Sequence, residues 1–168
     1  MDRDIEKEFL SAYDKYADAL FRHCYFRVYD RERAKDLAQE IFCRTWSYLA
    51  EGKRIDNLRA FLYRVANNLI IDEARKKKPL SLDQIMEEGF SPKDESSPNI
   101  EQRLIVKDVI QKLELLEEQY RNIIQMRFID ELSPKEIAAI LGVSENVVSV
   151  RIHRGIKKLR QLVEKELQ

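Results

Sequence analysis

With 168 residues, 44% of them apolar, the chain suffices for one ordinary domain or two small ones and can bury real cores. Its 30 basic residues balance 30 acidic ones, which excludes a protein that coats nucleic acid through bulk charge. No apolar run approaches the roughly 18 residues of a membrane-spanning helix, and Met1 to Phe9 alternate charges where a signal peptide is apolar, so a cytoplasmic protein is expected.

Cys24 and Cys43 stand far apart without CxxC or Cys/His ligand spacing, which predicts neither a disulfide nor a zinc site and places both inside as small apolar residues. The chain has no HExxH, no Asp-rich loop and no phosphate-cradling glycine loop. It is read as a non-enzyme that needs no metal, cofactor or small-molecule substrate.

Apolar residues recur at helical rather than strand spacing on both sides of a Pro/Ser-containing stretch, which predicts an all-α chain of two small helical domains, 1–78 and 101–168. In the run Arg33 to Tyr48, Asp36, Gln39, Glu40 and Cys43 share one helix face while Leu37, Ile41 and Thr45 share another. Carboxylates at i and i+4 are able to hold a metal, but no further ligands converge with them. A protein-contacting or solvated face is the better reading.

Ala60 to Lys78 reads as a long helix with Leu62, Val65, Ala66 and Leu69 inward and Arg64, Asn67, Asn68, Asp72 and Arg75 outward. It ends in the basic cluster Arg75-Lys76-Lys77-Lys78, which suits phosphates. Twelve of the fifteen aromatic residues lie in the first 63 positions, beside this helix, where rings either stack on unpaired bases or fill a core. Core is the better reading for most, since Phe21, Phe42 and Phe61 fall at apolar spacings.

Residues 79–100 carry one basic and five acidic side chains and three of the four prolines, the mark of a flexible acidic linker. Leu80, Leu82, Ile85 and Met86 give it a means of docking elsewhere.

After a helix marked by Leu104, Val109, Leu113 and Leu116, Ser133-Pro134-Lys135-Glu136 forms a capping box that starts a new helix. Ile137, Ala138, Ile140 and Leu141 face inward there, Gly142 supplies the positive φ of a sharp stop, and Ser144 caps the next helix. In that helix Val148, Ile152, Ile156 and Leu159 make an apolar stripe. Asn146, Ser149, Val150, His153, Arg154 and Lys157 are left outward, an acid-free face within the cluster Arg151, Arg154, Lys157, Lys158, Arg160. A helix-turn-helix with such a face suits the major groove: Asn pairs with adenine, Arg with guanine or phosphate, and an exposed valine touches thymine methyls.

Asp36-Leu37-Ala38-Gln39-Glu40-Ile41-Phe42 with Trp46 resembles the DLxQExF...W signature of bacterial sigma factors, and Ala66-Asn67-Asn68, Asp72 and Arg75-Lys76 are similar to the ARN...D..RR pattern of the next helix. With the helix-turn-helix of Ser133 to Arg160 the set is complete, and the short linker makes the chain similar to the extracytoplasmic-function (ECF) group. The resemblance implies a promoter-specificity subunit, with core RNA polymerase and promoter DNA as partners and an anti-sigma factor as regulator.

It further implies that Asp36, Leu37, Gln39, Glu40, Phe42 and Trp46 bind core polymerase, and that Asn57, Arg64, Asn67, Asn68, Asp72, Arg75 and Lys76 take the −10 element, with the loop Asp56-Asn57-Leu58 as part of a pocket for a flipped base. Ser144, Asn146, Ser149, Val150, Arg151, His153, Arg154 and Lys157 take the −35 element. The sequence departs from the family pattern at Asn67, where Arg is common, and at Ser149 and Val150, where a basic residue and a serine are usual. Two rivals stand beside this reading: a dimeric repressor on a palindrome, and a nuclease using Asp36 and Glu40 with a metal.

Overall fold

The structure, a computed structural model, describes residues 3–76 and 100–167, the side chains of 100–106 apart. Among the described residues there are helices and no strand, as the apolar spacing requires, and they form two units. Of the expected linker 79–100, residues 79–99 lie outside the described residues, Leu80, Leu82, Ile85 and Met86 among them, as do Lys77 and Lys78, and Ile100 begins a helix.

The first unit is built from α1 (Arg3–Val28), α2 (Arg31–Ala50) and α3 (Leu58–Lys76), each packed on the other two. α1 buries Ala12, Leu20 and Cys24, and half-buried Phe9 and Tyr16 extend the same stripe at intervals of three and four. Tyr29 stops α1 in the left-handed region (φ 55), its N–H donating to the Tyr25 carbonyl at 2.8 Å. Asp30 then caps α2 by accepting from the Arg33 N–H at 2.9 Å.

α2 turns Ala34, Leu37, Ala38, Ile41, Phe42, Thr45 and Leu49 inward. The one hydroxyl among them is satisfied locally, Thr45 donating to the Ile41 carbonyl at 2.8 Å. Gly52 (φ 80) reverses the chain, and Asn57 accepts from the Ala60 N–H at 2.9 Å to start α3. Capping by Asn57 brings Leu58 into the helix, two residues ahead of the expected start at Ala60.

The short turn makes α2 and α3 an antiparallel hairpin. Near its closed end the rings of Tyr48 and Phe61 lie 4.8 Å apart. Toward its open end Arg33 forks onto the carboxylate of Glu73: Nε donates to Oε1 at 2.6 Å, and Nη2 donates to Oε2. Between them Leu20, Ile41, Leu62 and Tyr63 are almost fully buried. Each such side chain contributes about 1.5–3 kcal/mol by leaving water.

The second unit contains α4 (Ile100–Glu114), α5 (Glu118–Ile124), α6 (Pro134–Leu141) and α7 (Glu145–Glu166). α5 opens into one wider turn at Gln125–Ile129, closed by the Asp130 N–H to the Gln125 carbonyl at 3.0 Å. α6 begins with the expected capping box, the Ser133 N–H donating to Glu136 Oε2 at 2.8 Å and the Glu136 N–H donating to Ser133 Oγ at 3.2 Å. Gly142 stops it at φ 68, and Ser144 caps α7 through the Val147 N–H at 3.2 Å.

α7 packs on α5 and α4. The closest approach is at Gly155, where an added Cβ would stand 2.8 Å from Ile124 Cδ1 and 3.4 Å from Tyr120 Cβ. Beside it Lys158 donates to Glu117 at 2.9 Å and lies 5.3 Å from the centre of the Tyr120 ring. That lysine holds Glu117 below its ordinary carboxylate range, with help from Gln119. At the far end Lys112 joins α4 to α7, donating to Glu166 at 2.8 Å and to Asp108 in its own helix.

Gly155→Leu is therefore expected to lower stability by about 1–3 kcal/mol, the usual cost of forcing extra methylenes into a packed interface. Urea unfolding of the full chain measures it; an unchanged midpoint would show that the helices need no such close approach.

Candidate functional site

The first unit presents two exposed polar faces. On α2 Asp36, Gln39 and Glu40 point to solvent, because Leu37, Ala38 and Ile41 take the intervening positions inward. Asp36 has a side chain 67% exposed, 4.0 Å from Arg33, and Glu40 accepts from Arg44 Nε at 2.7 Å. The face is acidic, yet its charges are already shared with the arginines one turn away.

Leu37 and Phe42, expected among the contact residues, are buried at 3% and 6% exposure. They shape the face from beneath, since a helix packed on two neighbours has to spend its apolar positions on them. Trp46 is half-buried, its ring 4.8 Å from Phe9, and Phe42 stands 4.7 Å from the exposed ring of Tyr13. Cys43, expected inside, is exposed on this same face, lining a shallow groove with Glu40, Arg44, Ser47, Tyr48, Glu51 and Lys53. Its position, three residues after Glu40, already put it on the polar side.

On α3 Arg64, Asn68, Asp72, Arg75 and Lys76 are exposed. Asn67, expected to face outward with them, is only 6% exposed. The correction follows from helix geometry: Asn67 adjoins Ala66 and lies four residues after Tyr63 and three before Ile70, all on the buried side. Asn57 is exposed, but its side-chain oxygen is occupied as the cap of α3. Exposed Lys53, Arg54 and Asp56 make up the rest of that loop's polar surface.

The second unit offers α7. Asn146, Ser149, Val150, His153, Arg154 and Lys157 are all exposed, Val150 at 38%, while Val148 and Gly155 are buried and Ile152, Ile156 and Leu159 half-buried. Ser144 is exposed but engaged as the cap, and Arg151 is half-buried at the edge of the face. Of the basic cluster, Lys158 turns back to Glu117 and Tyr120 and leaves the outward face to Arg154 and Lys157. Glu145, in the first turn, is the acidic side chain nearest this face in sequence.

Three features escaped the sequence. Arg33 and Glu73 are 40 residues apart and carry no mutual signal. Lys158 and Glu117 are 41 apart. Gly155 was open to detection, because a glycine inside a helical pattern marks a close approach.

Two units in this order, one with an acidic and a basic helix face and the other a helix-turn-helix with an acid-free outward face, are matched by two family models. Sigma-70 region 2 covers residues 12–79 and Sigma-70, region 4 covers residues 107–159. These define the class as a sigma-70-type subunit. The chain is 33% identical to the ECF RNA polymerase sigma factor SigW of Bacillus subtilis, over 91% of this chain and 87% of SigW. It is also 33% identical to the RNA polymerase sigma-E factor of Streptomyces coelicolor, over 89% and 83%. The chain belongs to the ECF RNA polymerase sigma factors, promoter-recognition subunits of RNA polymerase.

Solved structures share the fold at low identity. CnrH, in complex with the cytosolic domain of CnrY, matches 95% of this chain and 90% of that one with a TM-score of 0.71 at 23% identity. RpoE of Bartonella quintana, in complex with the anti-sigma factor NepR, matches 97% and 98% with a TM-score of 0.71 at 20%.

Because Asn57 caps α3, Asn57→Ala is expected to cost about 1 kcal/mol of stability and Asn57→Ser to recover most of it. Equal stability of the alanine variant in urea would free Asn57 for a purely DNA-facing role.

Proposed function

We propose that the exposed face of α2, led by Asp36, Gln39 and Glu40 with Trp46 at its edge, meets core RNA polymerase. The outer face of α3, with Arg64, Asn68, Asp72, Arg75 and Lys76 and the loop that Asn57 closes, takes the −10 element. The outer face of α7, with Asn146, Ser149, Val150, His153, Arg154 and Lys157 and the edge residue Arg151, takes the −35 element. In this reading 1–78 and 101–168 are the two functional domains, joined by 79–100. Leu37, Phe42 and Asn67 support these surfaces from within.

The observation that carries the reading is the distribution of charge. α2 exposes Asp36, Gln39 and Glu40 beside Lys35 and Arg44, a mixed-charge face that suits a protein partner, while the end of α3 and the outer face of α7 offer cations and amides to nucleic acid. Unstacking the −10 bases costs a few kcal/mol, which contacts to a flipped base and to phosphates offset. No bond is made or broken by this subunit, which works in the cytoplasm beside the polymerase that does the chemistry. An anti-sigma protein as its regulator fits the complex in which RpoE of Bartonella quintana was solved, with the anti-sigma factor NepR.

Charge reversal of Asp36 and Glu40 together to arginine is expected to lower affinity for core polymerase at least tenfold, by about 1.4 kcal/mol or more. In vitro transcription and direct binding measure it. Unimpaired polymerase binding would sink the assignment of α2, and loss of a metal-dependent cleavage instead would favour a nuclease.

Val150 replaces a polar side chain with an exposed apolar one, and Ser149 lacks a long cation, so the −35 preference is expected to shift toward a thymine methyl and away from one guanine or phosphate contact. Selection of bound promoters from a library randomised upstream reads this directly. Recovery of the usual family element would overturn it.

A further inference from the structure

The hairpin of α2 and α3 is held along most of its length by apolar side chains, but those end before the helices do. The last buried apolar residue of α3 is Ile70, and the last buried residue of any kind is Glu73, its side chain 7% exposed. Beyond it Asp72's neighbours Arg75 and Lys76 are exposed. On α2 the facing partner is Arg33, a 35% exposed side chain one turn from Asp36. The terminal contact between the helix with the acidic face and the basic end of the other is thus a guanidinium–carboxylate fork.

An ion pair at that place is an odd choice for strength alone. Taking a carboxylate out of water offsets much of the attraction, and apolar residues of similar volume commonly stabilise as well or better. What a two-pronged fork adds is direction: both nitrogens must meet both oxygens, which fixes the rotation and the axial register of one helix on the other. Van der Waals contact between leucines tolerates small slides. The Arg33 fork also lies 4.0 Å from Asp36, so one guanidinium links the acidic surface of α2 to the underside of α3.

We propose that Arg33 and Glu73 are positioning residues for promoter opening: their fork sets the register of the basic end of α3, with Asp72, Arg75 and Lys76, against the polymerase-facing surface of α2. The proposal rests on the reading of α2 as the polymerase surface and α3 as the −10 surface. Opening requires bases and phosphates to be caught at fixed distances from where polymerase holds the subunit, and a displacement of about 1 Å in a positioning element can cost on the order of a hundredfold in rate.

The test uses the full chain reconstituted with core polymerase. The double variant Arg33→Met/Glu73→Leu replaces the fork by apolar side chains and should keep the melting temperature of the free chain and its core affinity within about twofold, while open-complex formation on duplex promoter, read by permanganate reactivity, falls about tenfold or more. Arg33→Lys, which keeps the charge without the fork, should lose several-fold in opening at unchanged core affinity, and it serves if the double variant does not fold. Normal opening in these variants overturns the proposal, and so does a loss of core affinity in step with opening, which marks a merely structural pair. Asp72→Ala/Arg75→Ala is the control for the underlying reading. If that pair opens promoters normally, α3 is not the −10 surface; if it fails while the apolar pair opens normally, only the positioning role falls.

Discussion

The packing of α2 on α3 governs what the first unit can present. Both helices are amphipathic, and each has to surrender one face to the shared core, so the residues left for partners are those the core does not claim. On α2 these include Asp36, Gln39, Glu40 and Cys43; on α3 they include Arg64, Asn68, Asp72, Arg75 and Lys76. The two polar faces are held in one rigid piece by Leu37, Ile41, Leu62 and Leu69 along the hairpin and by the Arg33–Glu73 fork at its open end. In the proposed assignment of these faces, a surface for protein and a surface for nucleic acid are thus coupled through one shared core.

The second unit solves a different problem, the display of one long helix. α6 is short and sharply bounded, by a capping box in front and a left-handed glycine behind, so the direction of α7 is set by local backbone geometry. Its distance from α5 is set by Gly155, and its rotation by Lys158 on Glu117 and Tyr120. Together these leave Asn146, Ser149, Val150, His153, Arg154 and Lys157 on the outside. The wider turn at Gln125–Ile129 and the left-handed Glu131 (φ 55) lead into this arrangement.

Helical position decides which side chains of α2 and α3 reach the surface. Leu37 and Phe42, which the sigma-factor resemblance puts among the polymerase-binding residues, fall at the inward spacing of α2 and are buried there. The helical pattern with Leu62, Val65, Ala66 and Leu69 inward predicts Asn67 outward, but its spacing from Tyr63 and Ile70 puts it on the buried side. Cys43 was placed inside on the average behaviour of free cysteine, while the period of α2 put it beside Glu40. For Asn67 and Cys43 alike, helical position outweighs residue type.

The sequence by itself determined the helical class, the caps of α6 and α7, the glycine that separates them, and the family, because these depend on residues within a few positions of one another. Backbone capping and 3.6-residue periodicity are local physics, readable in a short window. Only the tertiary structure decided that Arg33 meets Glu73 and that Lys158 pairs with Glu117. Those outcomes depend on pairs some 40 residues apart, brought together when the helices bury their apolar sides, and no local pattern specifies which charged side chain the packing will place opposite which.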